Sequence, residues 1–247
     1  MTGVSGSVDR LAELVRARQP CVVLTGAGVS TESGIPDFRS PTGIWAQVDP
    51  MEVASIDAFL ADPEKVWEFY GRRLDVLAGA QPNDGHRALA ELEERGWVQA
   101  VITQNIDRLH ERAGSCEVVE VHGSIRTASC LDCGEVVPFD DVVRLLPVPR
   151  CPRCGRILKP DVVMFGELLD EATIARAAEL AADAALLLVV GSSLEVYPVA
   201  GLPAETLAAG GSLAIVNRDE TQYDARASVR IRAGAGETLR ALAELLP

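Results

Sequence analysis

Four cysteines carry the plainest chemistry in this chain. Cys130 and Cys133 form one Cys-x2-Cys pair and Cys151 and Cys154 another, with seventeen residues between the pairs. Two such knuckles supply four thiolates, the donor set of a tetrahedral zinc site, and four protein ligands leave no open coordination position. One structural Zn2+ is therefore expected. A disulfide pair would need an oxidising compartment, and a redox dithiol would not need two copies. Cys21 and Cys116 have no such partners and read as buried thiols. The other polar candidates stand where apolar runs end: Gln104-Asn105-Ile106-Asp107 after residues 98–103, His122 after 118–121, and Gly191-Ser192-Ser193 after 185–190. Imidazole is the side chain poised near neutral pH for proton transfer, so His122 is the candidate base. His86, at a helix start, and His110, inside a helix, fit structural roles. Asn105 or Asp107 would serve equally as a helix cap, and Gly191 to Ser193 as a plain turn.

Those strand ends imply an open, doubly wound α/β sheet, because such sheets bind ligands outside the carboxyl ends of parallel strands. Residues 22–24 read as a buried parallel strand running into Gly26-Ala27-Gly28, a tight turn that a pyrophosphate could approach. A full dinucleotide fingerprint would have a third glycine where Thr31 stands, so GAGVST alone is also compatible with an ordinary strand-to-helix turn. Helical spacing predicts a packing helix over 8–18, with Ser7 as its cap, and another over 86–95 that stops at Gly96. Apolar runs at 98–103, 118–121, 185–190, 213–216 and 229–231 complete a sheet of about six parallel strands. Residues 41–82 hold Trp45, Phe59, Trp67, Phe69 and Tyr70; the segment is too long for a simple crossover and reads as a helical insertion over the first strand's ligand edge.

The chain has 247 residues, 48% of them hydrophobic, enough for one sizeable core and a small second lobe. No apolar run reaches membrane-spanning length, and MTGVSGSVDR lacks the basic segment and apolar core of a signal peptide, so a cytoplasmic protein is expected. A formal charge of −13 argues against a non-specific grip on nucleic acid and suits a basic, lysine-bearing partner. A zinc-ribbon nucleic-acid module would need a basic ribbon, yet Glu135, Asp140 and Asp141 stand there against Arg144 and Arg150. A nicotinamide dehydrogenase would carry an acidic ribose partner on the second strand, where Gln104-Asn105 stands instead.

GAGVS followed by GIPDFRS, then TQNIDRLH, EVHGS, the four cysteines, KPDVVMFGE, GSSLEVYP and AIVNRDE, in that order, resemble the sirtuin family over nearly the whole chain. The resemblance implies a Rossmann-like NAD-binding domain (residues 1–40, 83–123 and 159–247) and a small domain made of a helical module (41–82) and a zinc ribbon (124–158). It implies an NAD-dependent protein lysine deacylase that consumes NAD and releases nicotinamide and 2′-O-acyl-ADP-ribose. Mono-ADP-ribosyl transfer on the same scaffold remains an alternative. Gly26, Ala27, Gly28 and Ser30 would line the phosphate turn, and Phe38 and Arg39 would fold over NAD. Asn105 and Asp107, with the Ile106 backbone, would hold the nicotinamide carboxamide, and Gln104 would reach the ribose. Gly191, Ser192 and Ser193 would form a second phosphate and ribose contact, Asn217 and Arg218 an adenosine ribose contact. His122 would take the proton from a ribose hydroxyl.

For the acyl-lysine protein, the resemblance implies a peptide added as a strand between Gly166-Glu167 and Glu195-Val196-Tyr197, with Val163 and Phe165 beside the lysine channel. Met164 stands where relatives often carry an aromatic residue. Tyr70 and Arg73 share a helix face within 64–77. They are similar to the Tyr-x-x-Arg pair of sirtuins that remove succinyl and malonyl groups, and Ala54 falls where those relatives carry a small residue. Tyr70 packing in a core, with Arg73 on a solvated face, is the plain alternative. GSSLEVYP looks more like deacetylating relatives, so acetyl-lysine is expected as a substrate too. A monomer is expected.

Overall fold

The computed structural model describes residues 2–247. In chain order the strands among the described residues are β1 (Cys21–Thr25), β2 (Ala100–Thr103), β3 (Val118–Glu120), β4 (Gly123–Ser129), β5 (Val136–Pro138), β6 (Lys159–Val162), β7 (Leu186–Val190), β8 (Ser212–Val216) and β9 (Val229–Ile231). Six form one sheet in the order β3-β2-β1-β7-β8-β9, and every pairing in it is parallel. The order reverses direction between β1 and β7. The connections leaving those two strands lead to helices on opposite faces of the sheet, the arrangement that places a ligand crevice at the strands' carboxyl ends.

The continuous apolar character of β1 follows from burial on both faces. Cys21 and Val23 pack on one side with helices α1 (Thr2–Ala17), α5 (Asp84–Glu94) and α10 (Ala235–Leu245). Val22 and Leu24 pack on the other with α8 (Glu171–Asp183) and α9 (Leu202–Ala208). Expected and observed strand boundaries agree to within two residues. Helix α1 begins earlier than its expected start at residue 8, so Ser7 lies inside it and does not cap it. Once Val8, Leu11, Ala12 and Val15 are buried, adding residues to an existing helix costs little, and no proline stops it. As expected, α5 stops before Gly96, which adopts φ +78°.

The remaining elements lie over the carboxyl edge of the sheet. Asp49, Ser55 and Asp62 each accept a backbone N–H from the first turn they precede, starting α2 (Pro50–Val53), α3 (Ile56–Ala61) and α4 (Pro63–Gly79). On α4 one face presents Val66, Trp67, Tyr70, Leu74 and Leu77 to a third core shared with Ile125, Val137 and Leu158. The buried Trp67 indole donates to the Leu158 carbonyl at 2.6 Å, tying the helical insertion to the strand sheet β5-β4-β6. Lys159–Val162, on the carboxyl side of the expected boundary at residue 159, is the β6 of that antiparallel sheet. Two short helices, α6 (Leu109–Ala113) and α7 (Phe139–Arg144), complete the set. Cys21 is buried as expected, but Cys116 is exposed. The chain turns at Gly114 (φ +110°), and Glu93 holds the amides of Cys116 and Glu117 at 3.0 and 2.7 Å, leaving the thiol on the outside of that turn. Among the described residues no helix is long and apolar enough to cross a membrane.

Candidate active site

At the point where the strand order reverses, two glycine turns touch. Gly26 N–H donates to the Val190 carbonyl at 3.1 Å and Gly28 N–H to the Gly191 carbonyl at 2.9 Å. A Cβ on Gly28 would lie 2.7 Å from the Gly191 Cα, and Gly191 itself needs φ +61°. These glycines are therefore required by the contact between the two turns, whatever ligand later approaches them. The segment after β1 is a 3-10 helix, Ala27–Ser33, rather than the α-helix of a standard strand-to-helix turn.

Above the turns lies a cavity of about 510 Å3. This is an ordinary size for a site that encloses a small molecule. It brings together Gly26, Ala27, Gly28, Ser30, Phe38 and Arg39 from the first turn and its loop, Gln104 to Asp107 after β2, His122 after β3, Gly191 to Ser193 after β7, and Asn217 and Arg218 after β8. The small-lobe wall contributes Ala54, Tyr70 and Arg73, and the flanking edges contribute Val163, Phe165, Gly166, Glu167, Glu195, Val196 and Tyr197. Every non-metal residue expected from the sequence lines this one cavity.

Inside it the polar groups are held by one another. Ser30 donates to Asp107 Oδ2 at 2.6 Å and accepts from the Asn105 amide at 3.1 Å; the same amide donates to the Gly26 carbonyl at 3.1 Å. The other Asp107 oxygen accepts Leu109 N–H at 2.9 Å; the N-cap position of that helix is Arg108, so Asp107 braces the turn before the helix without capping it. Burial pushes the Asp107 carboxyl up, against the lowering effect of Ser30 and the backbone amides. Gln104 donates to Ser192 Oγ at 2.8 Å, joining the ends of β2 and β7.

His122 Nδ1 lies 3.1 Å from the Gln104 carbonyl oxygen. A carbonyl only accepts, so Nδ1 carries the proton and the Nε2 lone pair is left free. Burial lowers the imidazole below its ordinary 6.5, opposed by the bond to Gln104, with the Arg39 charge pushing the same way as burial. His122 is thus neutral near pH 7, the state a proton acceptor needs.

His86 and His110 are buried with ring centroids 4.8 Å apart, and burial drives them down to about 4 and about 3. They form a floor beneath the site. His86 Nδ1 accepts Asn83 N–H, which turns Nε2 toward Ser30 Oγ at 3.4 Å; His110 Nε2 meets Thr25 Oγ1 at 3.0 Å, and Thr25 in turn donates to Thr103 Oγ1 at 2.8 Å. Sequence reasoning identified both histidines as structural but missed the threonine pair.

It also missed Asp37, whose carboxylate accepts Arg39 N–H at 3.0 Å and Ser40 N–H at 2.8 Å and so shapes the loop that carries Phe38. An aspartate two residues before a loop amide is a readable turn signal. Arg39 crosses the cavity mouth to Glu195 at 2.8 Å. On the small-lobe wall, the Arg73 guanidinium lies 4.8 Å from the Phe38 ring centroid and 5.5 Å from that of Phe69. Burial lowers its pKa, partly opposed by Tyr70, and raises the Tyr70 phenol to about 12. Tyr70 is therefore a hydrogen-bond donor throughout the physiological range.

The four cysteine sulfurs lie within 4.8 Å of one another, with Cys130 to Cys154 and Cys133 to Cys151 each 3.5 Å apart. Four thiolates about 2.3 Å from a tetrahedral metal would sit about 3.8 Å apart, so this donor set fits zinc. The two knuckles are built alike. Cys130 and Cys151 each accept an N–H from the glycine four residues on, Gly134 (φ +72°) and Gly155 (φ +77°).

A parallel sheet of this order, a ligand crevice at its reversal point and a four-thiolate knuckle in an attached lobe define a Rossmann-type nucleotide-binding protein with a structural zinc site. The Sir2 family model matches residues 26–198. An NAD-dependent protein deacetylase of Caldivirga maquilingensis is 48% identical over 234 residues, 93% of this chain and 90% of that protein. NAD-dependent protein deacetylase 1 of Geobacillus kaustophilus is 49% identical over 232 residues, 93% of this chain and 95% of that protein. A solved Sir2–p53 peptide–NAD+ complex superposes with a TM-score of 0.89 at 40% identity, covering 96% of this chain and 97% of that one. A Sir2 enzyme bound to a propionylated peptide superposes at 0.88 and 40% identity, with the same coverage. This chain belongs to the Sir2 family, the sirtuins.

Proposed function

We propose that this protein is an NAD-dependent protein lysine deacylase that removes acetyl groups, and succinyl or malonyl groups as well, releasing nicotinamide and 2′-O-acyl-ADP-ribose. The observation that carries the reading is the His122 imidazole, fixed through Nδ1, neutral, and turned by its bond to Gln104 toward the cavity that the two glycine turns share. NAD supplies the electrophilic ribose carbon to which the acyl oxygen bonds as nicotinamide leaves. Asn105 and Asp107 hold the carboxamide of nicotinamide, Phe38 screens the ribose carbon from its return, and His122 Nε2 accepts the proton of a ribose hydroxyl so that this oxygen can attack the acyl carbon. The lysine amine then leaves, water takes its place, and the carbon's bond to the first ribose oxygen breaks, leaving the acyl group on the second. Gln104, Ser192 and Ser193 bind ribose and phosphate, and Asn217 and Arg218 bind the adenosine ribose.

In this reading residues 1–40, 83–123 and 159–247 form the NAD-binding domain, and 41–82 with 124–158 the small domain. The acyl-lysine peptide enters between them as a strand added beside Gly166-Glu167 and Glu195-Val196-Tyr197. Tyr70 and Arg73 take the terminal carboxylate of a succinyl or malonyl group, with Ala54 leaving room for it. The net charge of −13 suits lysine-bearing protein partners rather than nucleic acid. We place the protein in the cytoplasm, acting as a monomer. Mass spectrometry of the pure protein with acetyl- and succinyl-lysine versions of one peptide, with and without NAD, tests the function. NAD-dependent loss of the acyl mass with matching acyl-ADP-ribose is expected. Peptides unchanged in the presence of NAD would refute it.

A further inference from the structure

Lys159 is the one charged side chain in this region whose burial the chemistry above leaves unexplained. It stands on β6 and is only 7% exposed. Its ammonium lies 2.9 Å from Glu167 Oε2 and also donates to the carbonyls of Val162 at 2.9 Å and Pro160 at 3.2 Å. A buried ammonium with three acceptors is fully satisfied, and such a charge is costly to keep unless its partner does something.

The partner closes a turn. The same Glu167 oxygen accepts Met164 N–H at 2.8 Å, while Glu167 N–H donates to the Met164 carbonyl at 3.0 Å. Residues 164–167 are thereby cinched from both ends, with Gly166 at φ +87°. The turn is fastened to the helical insertion as well, since Phe165 N–H donates to Ala54 and the Phe165 carbonyl accepts from Ile56, each at 2.9 Å. Val163 N–H donates to the His122 carbonyl at 2.8 Å. Residues 162–167 all line the cavity, and at Glu167 the Lys159 pair is the anchor that ties the turn to β6, beside the two bonds to Met164 within the turn itself.

We propose that the buried Lys159–Glu167 pair is a positioning device for the acyl-lysine peptide: it fixes the Gly166-Glu167 backbone that the incoming strand pairs with. The inference rests on the deacylase reading above and deepens it. Strand pairing depends on the register and direction of a few amide groups, so an edge that swings by an ångström loses affinity for peptide while the NAD turns, which share no bond with Lys159, keep theirs. The bond from Val163 to His122 stays, which keeps the base in place once peptide is bound.

The test uses the full chain, NAD and an acetyl-lysine peptide. Lys159→Met should raise the peptide KM about tenfold or more, with kcat at saturating peptide and the NAD KM changed by no more than about twofold. Lys159→Arg, which keeps the charge, should recover most of the loss. Should Lys159→Met leave Glu167 unpaired and fail to fold, the double variant Lys159→Met/Glu167→Gln removes both charges and should fold with the same raised peptide KM. A parental peptide KM in either folded variant would overturn the pair's role, as would kcat and both KM values worsening together. A parent that turns over no acyl-lysine peptide would overturn the deacylase reading itself, which separates the two failures.

Discussion

The acyl pocket yields the sharpest numerical prediction. Replacing Arg73 with Met keeps the aliphatic bulk of a half-buried side chain and deletes its guanidinium. A succinyl carboxylate gripped by Arg73 and the Tyr70 hydroxyl would lose a charge-assisted pair of hydrogen bonds, about 1.5–3 kcal/mol, or roughly ten- to a hundredfold in kcat/KM. Arg73 also stacks on Phe38 and Phe69, at 4.8 and 5.5 Å from their centroids, and that contact is lost whichever acyl group is bound. A cation–π contact of about 0.5–1 kcal/mol sets the loss of deacetylation at roughly two- to fivefold. The quantity to measure is the ratio of kcat/KM for succinyl- and acetyl-lysine versions of the same peptide. It should fall about tenfold or more in Arg73→Met. Tyr70→Phe should lower it less, since its phenol, raised to about 12 by burial, contributes a neutral donor. Glu167 also bears on the pocket, because its charge acts on the Tyr70 phenol. Its pairing with Lys159 offsets the repulsion an acyl carboxylate would otherwise meet. Equal losses of both activities in Arg73→Met, or no desuccinylation by the parent, would refute the pocket assignment and leave a plain deacetylase.

Three other outcomes follow from the same geometry. Cys130→Ser or Cys151→Ser should lose bound zinc and lower thermal stability and activity together, because metal binding and folding of that lobe are coupled; metal analysis showing no zinc in the folded parent would contradict this. His122→Ala should abolish deacylation while nicotinamide exchange, which precedes the proton transfer, survives in part, whereas Asn105→Ala and Asp107→Ala should suppress exchange too; radiolabelled nicotinamide incorporation distinguishes them. Because burial lowers His122 and only its neutral form accepts a proton, the acid limb of the rate profile should fall below the ordinary 6.5. A limb at or above that value would point to a different base.

Part of this site was legible because strand ends announce themselves. A β-branched run followed by Gly, Asn, Asp or His needs no tertiary information to be read as a buried strand delivering polar groups to one edge, and β1, β2, β3 and β7 each do so. Cysteine spacing is similarly local, since two knuckles closed by Gly134 and Gly155 can be seen in a few residues. The insertions followed by topology. Residues 41–82 leave after β1 and 124–158 after β3, both at carboxyl ends, so whatever they fold into must lie over the crevice. What stayed hidden depends on residues far apart in the chain. The contact that demands Gly28 is with Gly191, and nothing near either residue reveals the other. Cys116 misled because a cysteine without a metal partner is usually buried, and only the Glu93 contacts show that its turn lies on the surface.

The floor of the site was hidden for the same reason, and it makes a prediction of its own. His86, His110, Thr25 and Thr103 come from four separate elements, so no spacing joins them. Both histidines are buried in the neutral form, with folded values of about 4 and about 3 against an ordinary 6.5; burial is the larger cause at each, joined by the Arg87 charge at His86 and by His86 at His110. The unfolded chain therefore binds more protons than the folded one between pH 6.5 and the folded values. Stability is fully present above 6.5 and must be lost as pH falls through that window, with a slope of at most about 1.4 kcal/mol per pH unit for each histidine. Denaturant unfolding from pH 7.5 to pH 4.5 should show this loss beginning near 6.5, well above the carboxylate range. His86→Asn, whose amide oxygen can still accept Asn83 N–H in place of Nδ1, should remove the share of this loss that His86 contributes. A stability curve level down to pH 5 in the parent would mean that the two rings carry their protons in the folded state, and His86 Nδ1 could not then accept Asn83 N–H.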